Sequence, residues 1–225
     1  MKQAIERHEF LAKNSRVLVG VSGGIDSSVL LLLLLEYNKR FARNWEIHAC
    51  YVDANFSQSN KKFVKELLVA HQVPHTIIKK SIGEKIKKTK NRCYPCSRER
   101  RKTLLEVADK SSIFQIALAH HTQDAVETLL LNMIYNGELS TLVPKQAVIQ
   151  GRFFFIRPLY YLSKEEIERV AQIYELPRRK NICPYYQDSK REMIRNFLAG
   201  IKKENSDVYK NIFRAIFHVK KSYMP

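Results

Sequence analysis

Residues 21–28 read VSGGIDSS, from Val21 to Ser28, and join the apolar run Arg16–Val21 (RVLVGV) to the apolar stretch Ser28–Asn38. The first run is short and rich in valine, which predicts a buried strand. Ser28–Asn38 is apolar almost all round, which predicts a well-covered helix. The string between them is therefore a strand-to-helix turn. Its two glycines, Gly23 and Gly24, let the backbone turn tightly and bring N–H groups close to an anion. The helix opened by Ile25 and Asp26 adds the positive end of its dipole. Ser22, Ser27 and Ser28 offer hydroxyl hydrogen bonds to phosphate oxygens. The spacing is not G-x-x-x-x-G-K-S/T, whose lysine is absent, and it is not G-x-G-x-x-G. The plainer alternative is a turn with Asp26 or Ser27 as helix N-cap. The complete S-G-G-x-D-S string at a strand end is too specific to favour it.

Outward from this turn, strands and helices alternate. Strands are predicted at Glu46–Asp53, His75–Lys79, Ile113–His120 and Phe153–Arg157. Helices are predicted at Asn60–His71, Ser97–Lys110, Thr122–Tyr135 and Ser163–Tyr174. The last opens with a capping box, Ser163 with Glu166. This order predicts an α/β fold with a parallel sheet and helices on both faces. Pro144 and Gly151 flank a surface loop or short hairpin. From Leu176 onward the chain reads as helical or irregular and strongly basic.

Composition narrows the function. The 225 residues hold 39 Lys and Arg against 22 Asp and Glu, a net charge of +17. Hydrophobic residues make up 45%, enough for a core, so wholesale disorder is excluded. Such charge calls for a polyanionic partner, nucleic acid before an anionic membrane. The excess is concentrated: Lys79–Lys110 and residues 176–225 each hold twelve cations and four anions. The longest apolar run, Val29–Leu35, has seven residues, where a membrane span needs about 20. The first fifteen residues are charged and lack a signal-peptide stretch. A cytoplasmic location without membrane insertion is expected. Four cysteines are too few for a disulfide scaffold.

Two further clusters carry chemistry. His120 and His121 end the fourth strand, and Asp124, Glu127 and Thr128 share one face of the next helix. Asp124 is placed to offer oxygen to a Mg²⁺ ion near bound phosphates; support of the helix N-terminus is the alternative. Cys93 and Cys96 form CYPC directly before the predicted helix at Ser97, and Cys183 follows far downstream in NICPYY. A zinc site, a redox pair and no site at all remain open for these three. Cys50 lies within an apolar strand and reads as core.

SGGIDS resembles the signature of the PP-loop ATP pyrophosphatases. That resemblance implies a Rossmann-like five-stranded parallel sheet, with ATP across the carboxyl ends of the first and fourth strands. LAHHTQDAVETLLLN, C-x-x-C-S-R-x-R-R and the later cysteine-proline segment are similar to the tRNA 2-thiolation branch, most of all its 2-thiocytidine-forming type. The likeness covers roughly residues 15–190. It implies residues 1–175 as an ATP-binding catalytic domain and residues 176–225 as a basic helical extension packed on it. It assigns Ser22, Gly23, Gly24, Ile25, Asp26, Ser27, Ser28, Asp53, His120 and Arg157 to the nucleotide. It makes Cys93, Cys96 and Cys183 ligands of a 4Fe–4S cluster with one iron left open. One departure stands out: Tyr186 occupies the place of the second cysteine of a late C-x-x-C.

The activity implied is ATP-dependent thiolation of tRNA. A pyrimidine C2 carbonyl, cytidine in an anticodon loop, is adenylated, and sulfur then replaces its oxygen. Asp26, Asp124, Cys93 and Cys183 are the expected catalytic residues. The partners implied are tRNA, a sulfur donor (a cysteine desulfurase or sulfide) and a second copy of the chain as homodimer. A persulfide relay among the cysteines is the alternative chemistry. Three rival functions are a lysidine-synthase-like ligase, which has no use for three cysteines, a metal-bearing RNA-binding module without catalysis, and an amidotransferase-type synthetase acting on a small molecule, which leaves the charge unexplained. In the basic stretches, Arg98, Arg100, Arg101, Lys102, Arg178, Arg179 and Lys180 are expected around the cysteines. Tyr94, Tyr185 and Tyr186 are candidates to stack an unpaired base.

Overall fold

The computed structural model describes residues 1–56, 59–89, 92–178, 183–187 and 189–223. A short helix α1 (Lys2–Arg7) leads into β1 (Arg16–Gly20), α2 (Ile25–Arg40), β2 (Glu46–Asp53), α3 (Lys61–Ala70) and β3 (His75–Lys79). Then come α4 (Ile82–Ile86), α5 (Cys93–Lys110), β4 (Gln115–Ala117), α6 (Thr122–Asn136), β5 (Lys145–Val148) and β6 (Phe153–Ile156). The chain closes with α7 (Lys164–Ile173), α8 (Lys190–Lys202) and α9 (Val208–Ala215).

The six strands form one sheet in the order β3-β2-β1-β4-β6-β5. The expected five parallel strands are β3, β2, β1, β4 and β6, and β5 adds an antiparallel edge through a hairpin with β6. That hairpin is the segment flanked by Pro144 and Gly151. Side-chain alternation along β1 divides the core. Val17 and Val19 face α2, α3 and α7, while Leu18 faces α4 and α5 with Cys50 and Phe155. Val29, Leu30, Leu31 and Leu34 of α2 are wholly buried. Each contributes about 1.5–3 kcal/mol by leaving water, which fixes α2 behind the loop it follows. Cys50 is core as expected, and burial pushes its thiol up to about 12.

One boundary differs in a way that matters for the site. The helix expected from Ser97 begins at Cys93, so CYPC is its first turn. Pro95 is compatible with that position because first-turn amides have no intrahelical acceptor. Cys93 and Cys96 therefore stand one turn apart on a single helical face. A third small core joins Val126 of α6 to Ile194, Leu198 and Val208 of α8 and α9. The basic C-terminal helices thereby pack on α6, whose N-terminus lies at the centre of the sheet.

Candidate active site at the carboxyl ends of β1 and β4

β1 and β4 are neighbours, and the chain runs from β1 towards β2 on one side and from β4 towards β6 on the other. Divergence at this point leaves a crevice outside the strand ends. A cleft of about 930 Å³ occupies it. Ser22–Asp26 form one wall. Cys93, Cys96 and Cys183 form another, and His121, Glu127, Lys164 and Arg195 complete it. The phosphate-loop string and the three distant cysteines thus share one chamber.

Local bonds explain the loop. Ser27 and Ser28 are buried, and both hydroxyls donate to the Gly24 carbonyl, at 3.0 and 3.1 Å. The Ser22 N–H donates to Ser27 Oγ at 3.0 Å. These serines brace the turn, and Ser22 alone of the three lines the cleft. No side chain caps α2. Its first-turn amides have no intrahelical acceptor and are positioned for an anion. Gly23 has φ +79°, and a Cβ there would lie 2.5 Å from Asn60 Cβ. Asn60 is buried, and its side-chain amide donates to the Ser22 carbonyl at 3.4 Å. It packs against the turn from the start of α3.

The histidine segment supports the cleft unequally. His121 lies on it, with Nε2 3.4 Å from Asp124 Oδ2 and 3.9 Å from Asp26 Oδ2. Gln123 Nε2 donates to Glu165, and its Oε1 accepts from Lys164 N at 2.9 Å and lies 3.2 Å from His121 Nδ1. Asp124 is tied up otherwise than expected. One oxygen accepts the His121 N–H at 3.0 Å, and the other is 3.3 Å from Arg191. Burial alone would push the carboxyl up, but His121, His120, Arg191 and that N–H together hold it below the usual range. Sequence reasoning gave Asp124 to magnesium; in the structure its oxygens face the His121 N–H and Arg191.

Three other expected contacts lie away from the cleft. Asp53 accepts from Asn55 N at 3.0 Å and Ser59 Oγ at 2.9 Å, closing the turn after β2. His120 is desolvated, which holds its ring down to about 4 and therefore neutral. Its Nδ1 accepts from Arg157 Nε at 3.3 Å. Arg157 is 1% exposed and also donates to the Val143 carbonyl and Gln146, so it staples the β5 hairpin to the end of β4.

Among the described residues, none of the cysteines is in a disulfide. Burial pushes the Cys93 thiol up and Cys183 beside it adds to this, while Arg191 opposes. Burial also raises Cys96, with Arg100 opposing and the other two thiols adding. Among the described residues, no three His, Cys, Asp or Glu side chains stand at metal-ligating distance from a common point. Arg92 lies over the Tyr185 ring at 4.4 Å. Tyr186 is anchored, its hydroxyl accepting from Arg195 at 2.8 Å. Tyr94 is exposed and outside the cleft lining. Arg98, Lys102 and Arg178 are exposed, whereas Arg179 and Lys180 lie outside the described residues.

Sequence reasoning missed the cations that close the cleft. Arg195 Nε bonds Glu127 Oε1 at 2.7 Å, and Lys202 bonds Glu165 at 2.8 Å, holding that carboxyl down to about 2. Glu127 is 2% exposed, and its burial outweighs Arg195 in pushing the carboxyl up. Arg191 and Arg195 are one turn apart in KREMIR, facing Asp124 and Glu127 at matching spacing on α6. That complementarity was the available signal.

A PP-loop domain profile matches residues 1–202. A tRNA-cytidine(32) 2-sulfurtransferase from Bdellovibrio bacteriovorus is 32% identical over 226 residues, covering 99% of this chain and 87% of the relative. One of the same name from Pseudomonas paraeruginosa is also 32% identical, covering 96% and 81%. In fold, the chain matches the U34-tRNA thiolase NcsA from Methanococcus maripaludis, solved with its 4Fe–4S cluster. The TM-score is 0.78 at 23% identity, over 97% of this chain and 78% of that one. A glycine- and serine-rich loop at the β1–β4 switch point, a profile over most of the chain and relatives at this identity agree: the chain belongs to the PP-loop family that includes the tRNA-cytidine(32) 2-sulfurtransferases.

Proposed function

We propose that this protein is an ATP-dependent tRNA 2-sulfurtransferase that acts on a cytidine. One observation carries the reading: the phosphate loop and the three cysteines open into the same cleft. Activation and sulfur delivery can then act on one base without its moving between sites. The base attacks the α-phosphate through its C2 carbonyl oxygen. An O–P bond forms, the α–β bridge breaks, and pyrophosphate leaves with the electron pair. The uncapped amides at the start of α2 are the donors offered to that charge, and preorganised donors of this kind act strongly away from bulk water. Attack by sulfur at C2 then expels AMP.

The donor set fits a cluster held by Cys93, Cys96 and Cys183: three sulfurs in one chamber, two of them one helical turn apart. When bound there, a 4Fe–4S cluster supplies an iron site that can carry the sulfur. Tyr186, in the place of a fourth cysteine, ties Arg195 to the wall and leaves three thiol ligands. For the magnesium that accompanies ATP, the cleft offers Asp26, which lines it, whereas Asp124 does not. The sulfur comes from sulfide or a cysteine desulfurase. Four cysteines outside any disulfide suit the reducing cytoplasm, and no described helix is long and apolar enough to cross a membrane.

The test is purification without oxygen, a visible spectrum, and pyrophosphate release with and without tRNA. The expected result is a brown protein whose release of pyrophosphate rises with tRNA. A colourless, iron-free protein would overturn the cluster reading, and release indifferent to tRNA would overturn the substrate.

A further inference from the structure

We propose that Asn60 is a positioning residue that turns the Ser22–Gly23 peptide so that the Gly23 N–H meets the pyrophosphate end of ATP, and that Asp53 acts on the loop through it. The proposal rests on the phosphate-loop reading of the cleft. Asn60 stands at the start of α3, and its side-chain amide donates to the Ser22 carbonyl at 3.4 Å. A peptide unit is planar and trans, so its C=O and N–H point opposite ways. Holding the Ser22 carbonyl towards Asn60 therefore aims the Gly23 N–H away from α3. That N–H donates to no atom among the described residues, and Gly23 lines the cleft. Contact reinforces the bond: a Cβ on Gly23 would lie only 2.5 Å from Asn60 Cβ, so Asn60 seats in the space the glycine leaves.

A chain of hydrogen bonds fixes Asn60 in turn, and its direction is forced. Ser59 Oγ donates its single proton to Asp53 Oδ2 at 2.9 Å, since a carboxylate only accepts. The Tyr51 hydroxyl, 3.2 Å from Ser59 Oγ, therefore donates to it. The Tyr51 oxygen is left to accept the Asn60 N–H at 3.2 Å. Tyr51, Asp53 and Asn60 are buried, and low local dielectric strengthens linked bonds of this kind. Asp53 thus serves the nucleotide without lining its cleft. Its charge anchors a relay from the end of β2 to the loop that follows β1.

The experiment compares the full chain with Asn60→Leu, which keeps the volume and removes the donor, with Tyr51→Phe, which removes one oxygen that never touches the loop, and with the double variant. Equilibrium binding of inorganic pyrophosphate and of adenosine is measured for each. In Asn60→Leu, pyrophosphate affinity should fall about fivefold to tenfold, the worth of one hydrogen bond, with adenosine affinity held within about twofold. Tyr51→Phe should lower pyrophosphate affinity about threefold, with adenosine again unmoved. The double variant should stay within about twofold of Asn60→Leu, because the relay then has no donor left to aim. The proposal is overturned if folded Asn60→Leu binds pyrophosphate as the parent does, if adenosine and pyrophosphate weaken alike, or if the two single effects multiply. A parent protein that binds neither ATP nor pyrophosphate would overturn the phosphate-loop reading, and the relay's role with it.

Discussion

Replacing Arg195 by Ala tests whether the basic C-terminal helices are part of the protein's interior framework. Glu127 is 3% exposed in its side chain, and Arg195 is its closest cation, at 2.7 Å. Removing one partner of a buried pair costs about 3–5 kcal/mol, because the other charge is left without compensation. Two features lower that here. Arg195 is itself 32% exposed, and Arg191 stays 3.8 Å from Glu127 Oε2. About 2–3 kcal/mol is therefore expected. The cost should depend on pH in a defined sense. Burial already raises the Glu127 carboxyl, and loss of Arg195 raises it further. A carboxyl raised in the folded state is best tolerated when protonated, so the penalty is full at neutral pH. It shrinks as pH falls through the raised value. Urea unfolding of the parent, Arg195→Ala, Glu127→Gln and the double variant, at equal metal content and at pH 7 and 5, reads these quantities. The double variant should recover about half or more of the loss, since the uncompensated charge is gone. A penalty below about 0.5 kcal/mol, or a double variant that is the sum of the singles, would refute the reasoning.

Three other outcomes follow from the geometry. Gly23→Ala places a Cβ 2.5 Å from Asn60 Cβ at φ +79°, so it should cost about 1–2 kcal/mol in the unfolding midpoint and weaken ATP binding more than tenfold by equilibrium dialysis. Cys93→Ser should lose most bound iron by metal analysis, whereas Cys50→Ala should retain it and lose only stability, because Cys50 is core. His120 is held down to about 4 against an ordinary value near 6.5, by burial first, with Asp124 opposing and Arg157, Arg191 and His121 adding. The unfolded chain therefore takes up this proton first, and the contribution is lost as pH falls from about 6.5 to about 4. At its fullest it amounts to about 3 kcal/mol. His120→Gln should flatten that part of the stability–pH curve, and unchanged slopes would count against it.

The legible parts of this chain are those whose physical cause is local. Glu46–Asp53 and His75–Lys79 are strands with the bounds their composition predicts, because β-branched runs between polar residues have few other ways to be buried. The capping box at Ser163 and Glu166 forms as its spacing requires. The error at Cys93 has a local cause too. C-Y-P-C looks like a helix breaker, yet proline is neutral in a first turn. β5 was harder to read, since Lys145–Val148 is half polar and is made a strand by its partner Phe153–Ile156. Its assignment comes from tertiary pairing rather than from its own pattern.

The candidate site divides along the same line. The turn of the loop was readable because glycine at a strand end has a mechanism that needs no distant partner. Roles for Asp53, Asp124, His120 and Arg157 depended on what stands opposite, and what stands opposite comes from far along the chain. Asp124 meets Arg191 across 67 residues, and Asp26 meets Lys164 across 138. Each pairing withdraws a charge that composition alone would place on the surface. The +17 excess must therefore be divided before it is read as an RNA footprint. Arg191, Arg195 and Lys202 hold α8 to α6 and α7. Arg98, Lys102 and Arg178 face outward. Neutralising one of the outward set should weaken tRNA binding and lower its salt slope by about one, whereas neutralising one of the inward set should lower stability first. The same charge has two functions, and the fold decides which residue has which.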